Sequence, residues 1–255
     1  MLPPPRALLL DFGGVLADAP ARNTAEPELV RRVDEVTRGE VGTERIRKDL
    51  DAGIRAYAAW RDDVGNTERS VEMGHAQVFR DFVTADWPSA ARAAVEGEAT
   101  PLAYAWTWRS GWAVRPGVPE ALRAAGAAGL PMAVVSNTLC GAAHRDFLDR
   151  AGLTHLFAAQ FYSDEAGPRK PNPELALLAA REIGVPIGGC WFVGDSVHRD
   201  VRCARRAGTA AVVLMRSART DRESPLPDAL PDARIEDGHG LVDLLGEALG
   251  ERSDR

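Results

Sequence analysis

A doubly wound parallel α/β core, interrupted after its first strand by an all-helical segment, is the fold class this sequence predicts. Three observations predict it. Residues 6–12 are a continuous apolar run closed by Gly13-Gly14, which reads as a buried strand. Residues 19–112 are rich in Ala, Arg and Glu, with apolar residues three or four apart and no convincing strand. From Arg115-Pro116-Gly117 onward, short apolar runs alternate with helix-length amphipathic stretches, the pattern of βαβ units.

Each element follows from its local pattern. The first strand, 6–12, ends in Asp11-Phe12. Helical spacing then marks 26–38, 43–61, 68–85 and 90–107. Beyond the Pro-Gly break, 118–128 reads as a helix, PMAVVSNT as a strand and 142–151 as a helix. A short strand at 160–163 precedes a helix over 173–183. A strand at 190–193, a helix at 198–207, a strand at 210–215 and a closing helix at 240–249 complete the alternation. The Pro- and charge-rich stretch 216–237 reads as a surface loop. The domain expectation is a core of 1–18 with 113–255, and a helical domain of 19–112. No internal repeat or long low-complexity segment interrupts this order.

Bulk properties exclude several function classes. A chain of 255 residues, 45% hydrophobic and 27% charged, has the composition of an ordinary globular protein large enough for a sizeable core. A net charge of −6 argues against a nucleic-acid partner. Asp11 interrupts the N-terminal apolar run, so it lacks the length of a signal sequence or membrane span. Cys140, Cys190 and Cys203 make no metal spacing and read as buried thiols in a reducing, cytoplasmic setting. Basic residues are almost all Arg: 29 against two Lys, Lys48 and Lys170.

Polar groups stand at the carboxyl ends of four expected strands, where doubly wound sheets bind ligands. Asp11 follows LLL, and Ser136-Asn137-Thr138 follow AVV. Lys170 lies in GPRKPNPE, and Asp195 and Asp200 lie in VGDSVHRD. Each has a plain structural explanation when taken alone. An Asp after an apolar strand is usually a turn former, Ser-Asn-Thr is turn or cap chemistry, and Asp195 or Ser196 suits a helix N-cap. In this chain of arginines, a lone Lys170 points to a need for a compact charge rather than a planar fork.

Together, DFGGVL, VVSNT, RKPNPE and VGDSVHRD resemble, in order, the four motifs of the haloacid dehalogenase superfamily, which consists mostly of phosphatases. The resemblance covers nearly the whole chain. It implies a Rossmann-like core with a helical cap of subfamily I type, inserted between the first and second motifs. It also implies a Mg²⁺ cofactor and a small phosphorylated metabolite, a sugar phosphate among the candidates, as substrate. Asp11, Ser136 and Lys170 become the catalytic candidates, with Asp11 as nucleophile. Gly14, Ser136, Asn137 and Lys170 become the substrate-binding candidates. Asp11, the carbonyl of Gly13, Asp195 and Asp200 become the metal site. Chemistry supports this set independently. Phosphoryl transfer needs a nucleophile, neutralisation of the phosphoryl oxygens and a metal, and clustered carboxylates suit a hard cation.

The chain departs from the family at Gly13. Most phosphatases of the superfamily carry there the Asp that protonates the leaving oxygen and then activates water, an aid of about 10²–10⁴-fold. Three readings stay open: a phosphatase without that acid, a metal-independent dehalogenase, and a non-catalytic phosphate- or partner-binding member. His198, His75 and Glu72 are the candidate replacements for the acid. Trp106, Trp108 and Trp112 fall in LAYAWTWRSGWAVRPG, three of the six tryptophans within seven residues. They suit packing between helical segment and core better than an aromatic substrate wall. The AYAW and WTW stretches are also candidates for a homodimer contact. Arg109 and Arg115 are candidate anion contacts.

Overall fold

The computed structural model describes residues 1–19, 24–64 and 67–250; residues 20–23, 65–66 and 251–255, which the expected domain ranges also span, lie outside the described residues. The strands are β1 (Ala7–Leu10), β2 (Ala17–Asp18), β3 (Ala113–Val114), β4 (Met132–Ser136), β5 (Ala159–Tyr162), β6 (Cys190–Gly194), β7 (Ala211–Met215) and β8 (Ala233–Ile235). The helices are α1 (Pro27–Val36), α2 (Thr43–Val64), α3 (His75–Phe82), α4 (Ser89–Gly97), α5 (Ala99–Thr107), α6 (Val118–Ala127), α7 (Gly141–Arg150), α8 (Ser163–Ala166), α9 (Glu174–Glu182), α10 (Arg202–Ala207) and α11 (Gly238–Leu249).

Six strands form one parallel sheet in the order β5-β4-β1-β6-β7-β8. The chain runs outward from β1 through β4 and β5, crosses to the other side of β1, and runs outward again through β6, β7 and β8. β1 is therefore where the winding reverses, the place where such sheets open a crevice at their carboxyl ends. Successive strand side chains point to opposite faces. Leu8 and Leu10 pack with residues of α6, α7 and α11, such as Leu122, Leu148 and Leu245. Ala7 and Leu9 pack with residues of α9 and α10, such as Leu175, Ala176 and Cys203. Burial on both faces is why β1 reads as unbroken apolar sequence rather than alternating.

The helices α1–α5 leave and re-enter the core through the antiparallel pair β2–β3, with Ala17 opposite Val114 and Asp18 opposite Ala113. They close around their own cluster, including Leu29, Val33, Leu50, Tyr57, Phe79, Leu102 and Trp106, which continues into Leu139 and Cys140 of the core. Full burial of each large apolar side chain contributes about 1.5–3 kcal/mol. All three cysteines are buried free thiols, as the sequence suggested. No helix among the described residues is long and apolar enough to cross a membrane.

Four elements differ from expectation, each for a local reason. Only α3 is helical within 68–85, because Ser70 and Glu72 bond to the 167–169 segment instead of continuing a helix. The expected helix over 90–107 divides into α4 and α5 at Glu98, whose φ of −108° and ψ of 19° break the helical path after Gly97. The helix expected from His198 opens with a wide π-type turn, Val197–Val201, before α10. The 216–237 stretch is not simply a surface loop: it contains β8, and its first residues reach the crevice.

Candidate active site

Lys170 is the hub. It is 1% exposed, and its ammonium meets Asp11 Oδ1 at 2.8 Å, Asp200 Oδ1 at 2.7 Å and the Val135 carbonyl at 2.7 Å. Those three acceptors match the three donors of an ammonium. Burial pushes the Lys170 pKa down, but Asp11 and Asp200 outweigh it and hold the group above its ordinary value. Its backbone is clamped as well: Lys170 N–H donates to Asn137 Oδ1 at 2.8 Å, and Asn137 Nδ2 donates to the Lys170 carbonyl at 2.9 Å. A guanidinium plane could not meet three acceptors arranged around one nitrogen.

Asp200 braces the turn after β6. Its Oδ2 accepts from the amides of Asp195 and Ser196, both at 3.0 Å. Asp195 is held from the loop after β7. Ser217 Oγ donates to Asp195 Oδ2 at 2.6 Å, Arg219 Nη1 pairs with Oδ1 at 2.8 Å, and Thr220 Oγ1 donates to the Asp195 carbonyl at 2.5 Å. Burial lowers the Arg219 pKa, but Asp195, Asp11 and Asp200 outweigh it, so the net shift is upward. Asp195 also presses on Gly14: a Cβ there would lie 2.1 Å from Asp195 Oδ2, and the Gly14 φ is +79°. Only glycine satisfies both conditions.

Asp11, Asp195 and Asp200 each offer an oxygen within 4.8 Å of the others, and all three residues are buried. Three carboxylates make direct ion pairs with two cations, Lys170 and Arg219. A compact all-oxygen set of carboxylates fits a hard divalent cation such as Mg²⁺. No described residue bonds Asp11 Oδ2. Asp11, Ser136, Asn137, Lys170, Asp195 and Asp200 all line one cavity of about 520 Å³, which the helices α2 and α5 border from the other side through residues such as Tyr57 and Trp106.

The family described as haloacid dehalogenase-like hydrolase matches residues 5–208. The chain belongs to that family. Two curated relatives are similar over part of their length. Glyceraldehyde 3-phosphate phosphatase of Methanopyrus kandleri is 37% identical over 39% of this chain and 43% of its own. Phosphoserine phosphatase of Thermus thermophilus is 37% identical over 48% of this chain and 46% of its own. The chain thus spans under half the length of these relatives. The crystal structure of CbbY from Rhodobacter sphaeroides, in complex with phosphate, is similar at a TM-score of 0.59 and 21% identity, covering 93% of this chain and 96% of that one. That likeness shows the family's doubly wound fold.

Within this family member, several sequence assignments change. Gly14 was expected to bind substrate, but its N–H donates to the Ala17 carbonyl and its carbonyl accepts from Arg115. Its role here is to admit Asp195. The Asn137 side chain is engaged by the Lys170 backbone, so a substrate contact at this position falls to the backbone amides around it, as the sequence reading had it. The candidate replacements for the missing acid lie elsewhere. Glu72 forms a buried ion pair with Arg169, His75 contacts Thr100 and Asp164, and His198 Nε2 contacts the Ser224 carbonyl. Arg115 is a strut, donating to the carbonyls of Gly14, Arg216 and Glu236. Arg109 does line the cavity. The three tryptophans separate. Trp106 packs on Phe79 and Tyr57, Trp108 stacks on Tyr104, and Trp112 packs edge-on against Phe12. Packing dominates, although Trp106 and Trp112 also border the cavity.

Sequence reading missed Ser217, Arg219, Arg61 and Arg199, all of which line the cavity. Ser217 and Arg219 carried a usable signal, since they follow β7 at the same carboxyl edge as Asp11 and Asp195. Arg61 carried none, because arginine is common throughout this chain. His144 was also missed. It stacks on Phe12 at 3.8 Å between ring centroids, and burial, aided by Arg109 and Lys170, lowers its pKa to about 3.

Proposed function

We propose that this chain is a Mg²⁺-dependent phosphatase acting on a small phosphorylated metabolite, such as a sugar phosphate, through an aspartyl-phosphate on Asp11. The observation that carries the reading is the pose of Asp11. One oxygen is fixed by Lys170, while the other has no described partner beside a cavity of substrate size. That free oxygen attacks phosphorus, the leaving oxygen departs, and water then cleaves the acyl phosphate. Lys170 holds the nucleophile in place and brings positive charge toward the phosphoryl oxygens. Ser136, at the end of β4, lines the same cavity and can donate to them. A Mg²⁺ held by Asp11, the Gly13 carbonyl and Asp195 would offset repulsion between carboxylate and phosphoryl group. Asp200 positions that set by fixing both Lys170 and the Asp195 turn. The phosphatase names of the curated relatives and the acidic cluster support this reading over a metal-independent dehalogenase.

The helices between β2 and β3 act as a cap that excludes water and selects substrate. This reading assigns 19–112 to the cap and 1–18 with 113–255 to the core. Gly13 supplies no proton donor, so leaving groups that need little protonation react best.

The test is phosphate release from p-nitrophenyl phosphate, acetyl phosphate, anomeric sugar phosphates and sugar phosphates esterified at a primary hydroxyl, with Mg²⁺ or EDTA. Release that requires Mg²⁺ and disappears in Asp11→Asn is expected, strongest for the good leaving groups. A folded protein that releases phosphate from none of them would contradict the proposal.

A further inference from the structure

The cavity holds more positive charge than one phosphoryl group requires. Lys170 is matched to Asp11 and Asp200, and Arg219 to Asp195. Four further arginines line the same cavity without an ion pair to any described carboxylate: the exposed Arg222, and three set deeper, Arg61 from α2, Arg109 from the segment after α5, and Arg199 from the turn after β6. All three are half-buried. Elsewhere among the described residues, the half-buried Arg202 and Arg206 face Asp228 and Glu68, whereas the half-buried Arg92 has no ion pair.

Arg61 and Arg109 are also close enough for the charge of one to disfavour that of the other. Burial lowers the Arg61 pKa, with Arg169 and Arg219 adding to it against Tyr57 and Glu72. Burial lowers the Arg109 pKa, with Arg61 adding to it against Glu26. Asp18 and Asp62 also line the cavity, but both are exposed, and Asp18 faces Arg115 at 3.5 Å. The Arg61 Nε is buried with no partner among the described residues. A buried donor without an acceptor is costly. Three guanidiniums without ion pairs bordering one cavity suit an anion, because planar guanidiniums bind carboxylate and phosphate bidentately.

We infer that the substrate is a phosphate ester carrying a second anionic group, a phosphate or a carboxylate, which Arg61, Arg109 and Arg199 bind together across the junction of helical segment and core. This inference rests on the phosphatase reading and narrows it. Because Arg61 and Arg109 come from the helical segment and Arg199 from the core, the second group bridges the two parts. It marks as correct those substrates that hold both.

The test compares three substrates that share one type of scissile phosphate but differ at the other end: hydroxyethyl phosphate, phosphoglycolate and propanediol bisphosphate. Wild type is expected to favour one of the two doubly anionic compounds over hydroxyethyl phosphate by at least about tenfold in kcat/KM, the size of one charge-assisted contact. Preference for phosphoglycolate or for the bisphosphate identifies the second group. Arg61→Gln and Arg199→Gln are each expected to reduce that ratio about tenfold, and Arg109→Gln, in a less buried segment, gives the same readout if either fails to fold. Equal kcat/KM for all three substrates overturns the inference, as does a loss in the variants that leaves the ratio unchanged. If p-nitrophenyl phosphate and all three compounds resist hydrolysis, the phosphatase reading fails by itself. Calorimetric binding of the same compounds to wild type then decides the inference: about tenfold tighter binding of a doubly anionic compound supports it, and equal affinity overturns it.

Discussion

At Gly13, a Cβ would meet nothing within 4 Å, whereas at Gly14 it would collide with Asp195. The two glycines of one dipeptide therefore have opposite meanings. Gly14 is required by the fold of the site, and Gly13 is an open position beside the nucleophile. Gly13→Asp should place its Cβ without displacing a neighbour. If the proposed chemistry is right, it should raise turnover of sugar phosphates esterified at a primary hydroxyl by roughly 10²-fold, the low end of general acid–base assistance. Acetyl phosphate, whose leaving group needs little protonation, should gain far less. Steady-state kinetics on both substrates checks this. Equal gains, or none, would show that Gly13 is not what limits protonation.

The segment 70–72 and the loop before Lys170 form one structural unit across the helical segment and the core. Glu72 Oε2 pairs with Arg169 at 2.5 Å and accepts from Ser163 Oγ at 2.6 Å, while Oε1 accepts from Tyr57 at 3.0 Å. Both Glu72 and Arg169 are buried, and Val71 bridges to Pro168. Removing one partner of a buried pair leaves the other charge unsatisfied, at a cost of about 3–5 kcal/mol. Glu72→Ala should therefore lower the unfolding free energy measured in urea by an amount of that order, and Arg169→Met in the same background should recover part of it. A Glu72→Ala protein as stable as wild type would show that the pair is not what joins the two parts. From sequence Glu72 was one candidate acid–base group and otherwise a surface residue, since a carboxylate in the helical segment is visible there and its buried cation is not.

At the scale of the whole molecule, stability should depend on pH through His144. Its ordinary pKa of 6.5 falls to about 3 in the folded protein, chiefly through burial, with Arg109, Lys170 and Arg145 adding to it. A depressed histidine pKa means that the unfolded chain binds the proton first. The stabilisation is complete above pH 6.5 and is lost as pH falls toward 3, by about 1 kcal/mol per pH unit. His144→Phe, which keeps a ring against Phe12, should flatten that part of the profile. Urea unfolding at pH 7 and pH 5 for both proteins measures it. An identical pH slope in the variant would contradict the assignment.

The architecture was legible because it is written in local patterns. The apolar run at Leu8–Leu9–Leu10 and the Pro-Gly break at 116–117 place β1 and the return to the core without any long-range information. Asp11, Ser136, Lys170 and Asp195 were legible because each follows a strand, and the sheet order then brings those strand ends together. What escaped depends on contacts distant in sequence. Arg61 and Arg199 meet only once the helical segment folds over the sheet, and Ser217 and Arg219 look like loop residues until β7 places them beside Asp195. Gly14 looked like a phosphate contact because the sequence does not show that its N–H is already bonded.

Phosphorylation of Asp11, in a site lacking a general base at position 13, is tested most directly by acid-quenched mass spectrometry. Slow hydrolysis of the acyl phosphate should let the phosphorylated enzyme accumulate during turnover of acetyl phosphate with Mg²⁺. The account predicts a phosphoryl mass increase on the peptide containing Asp11, absent with EDTA and absent in Asp11→Asn. Turnover that continues in Asp11→Asn, or a label carried by another residue, would contradict it.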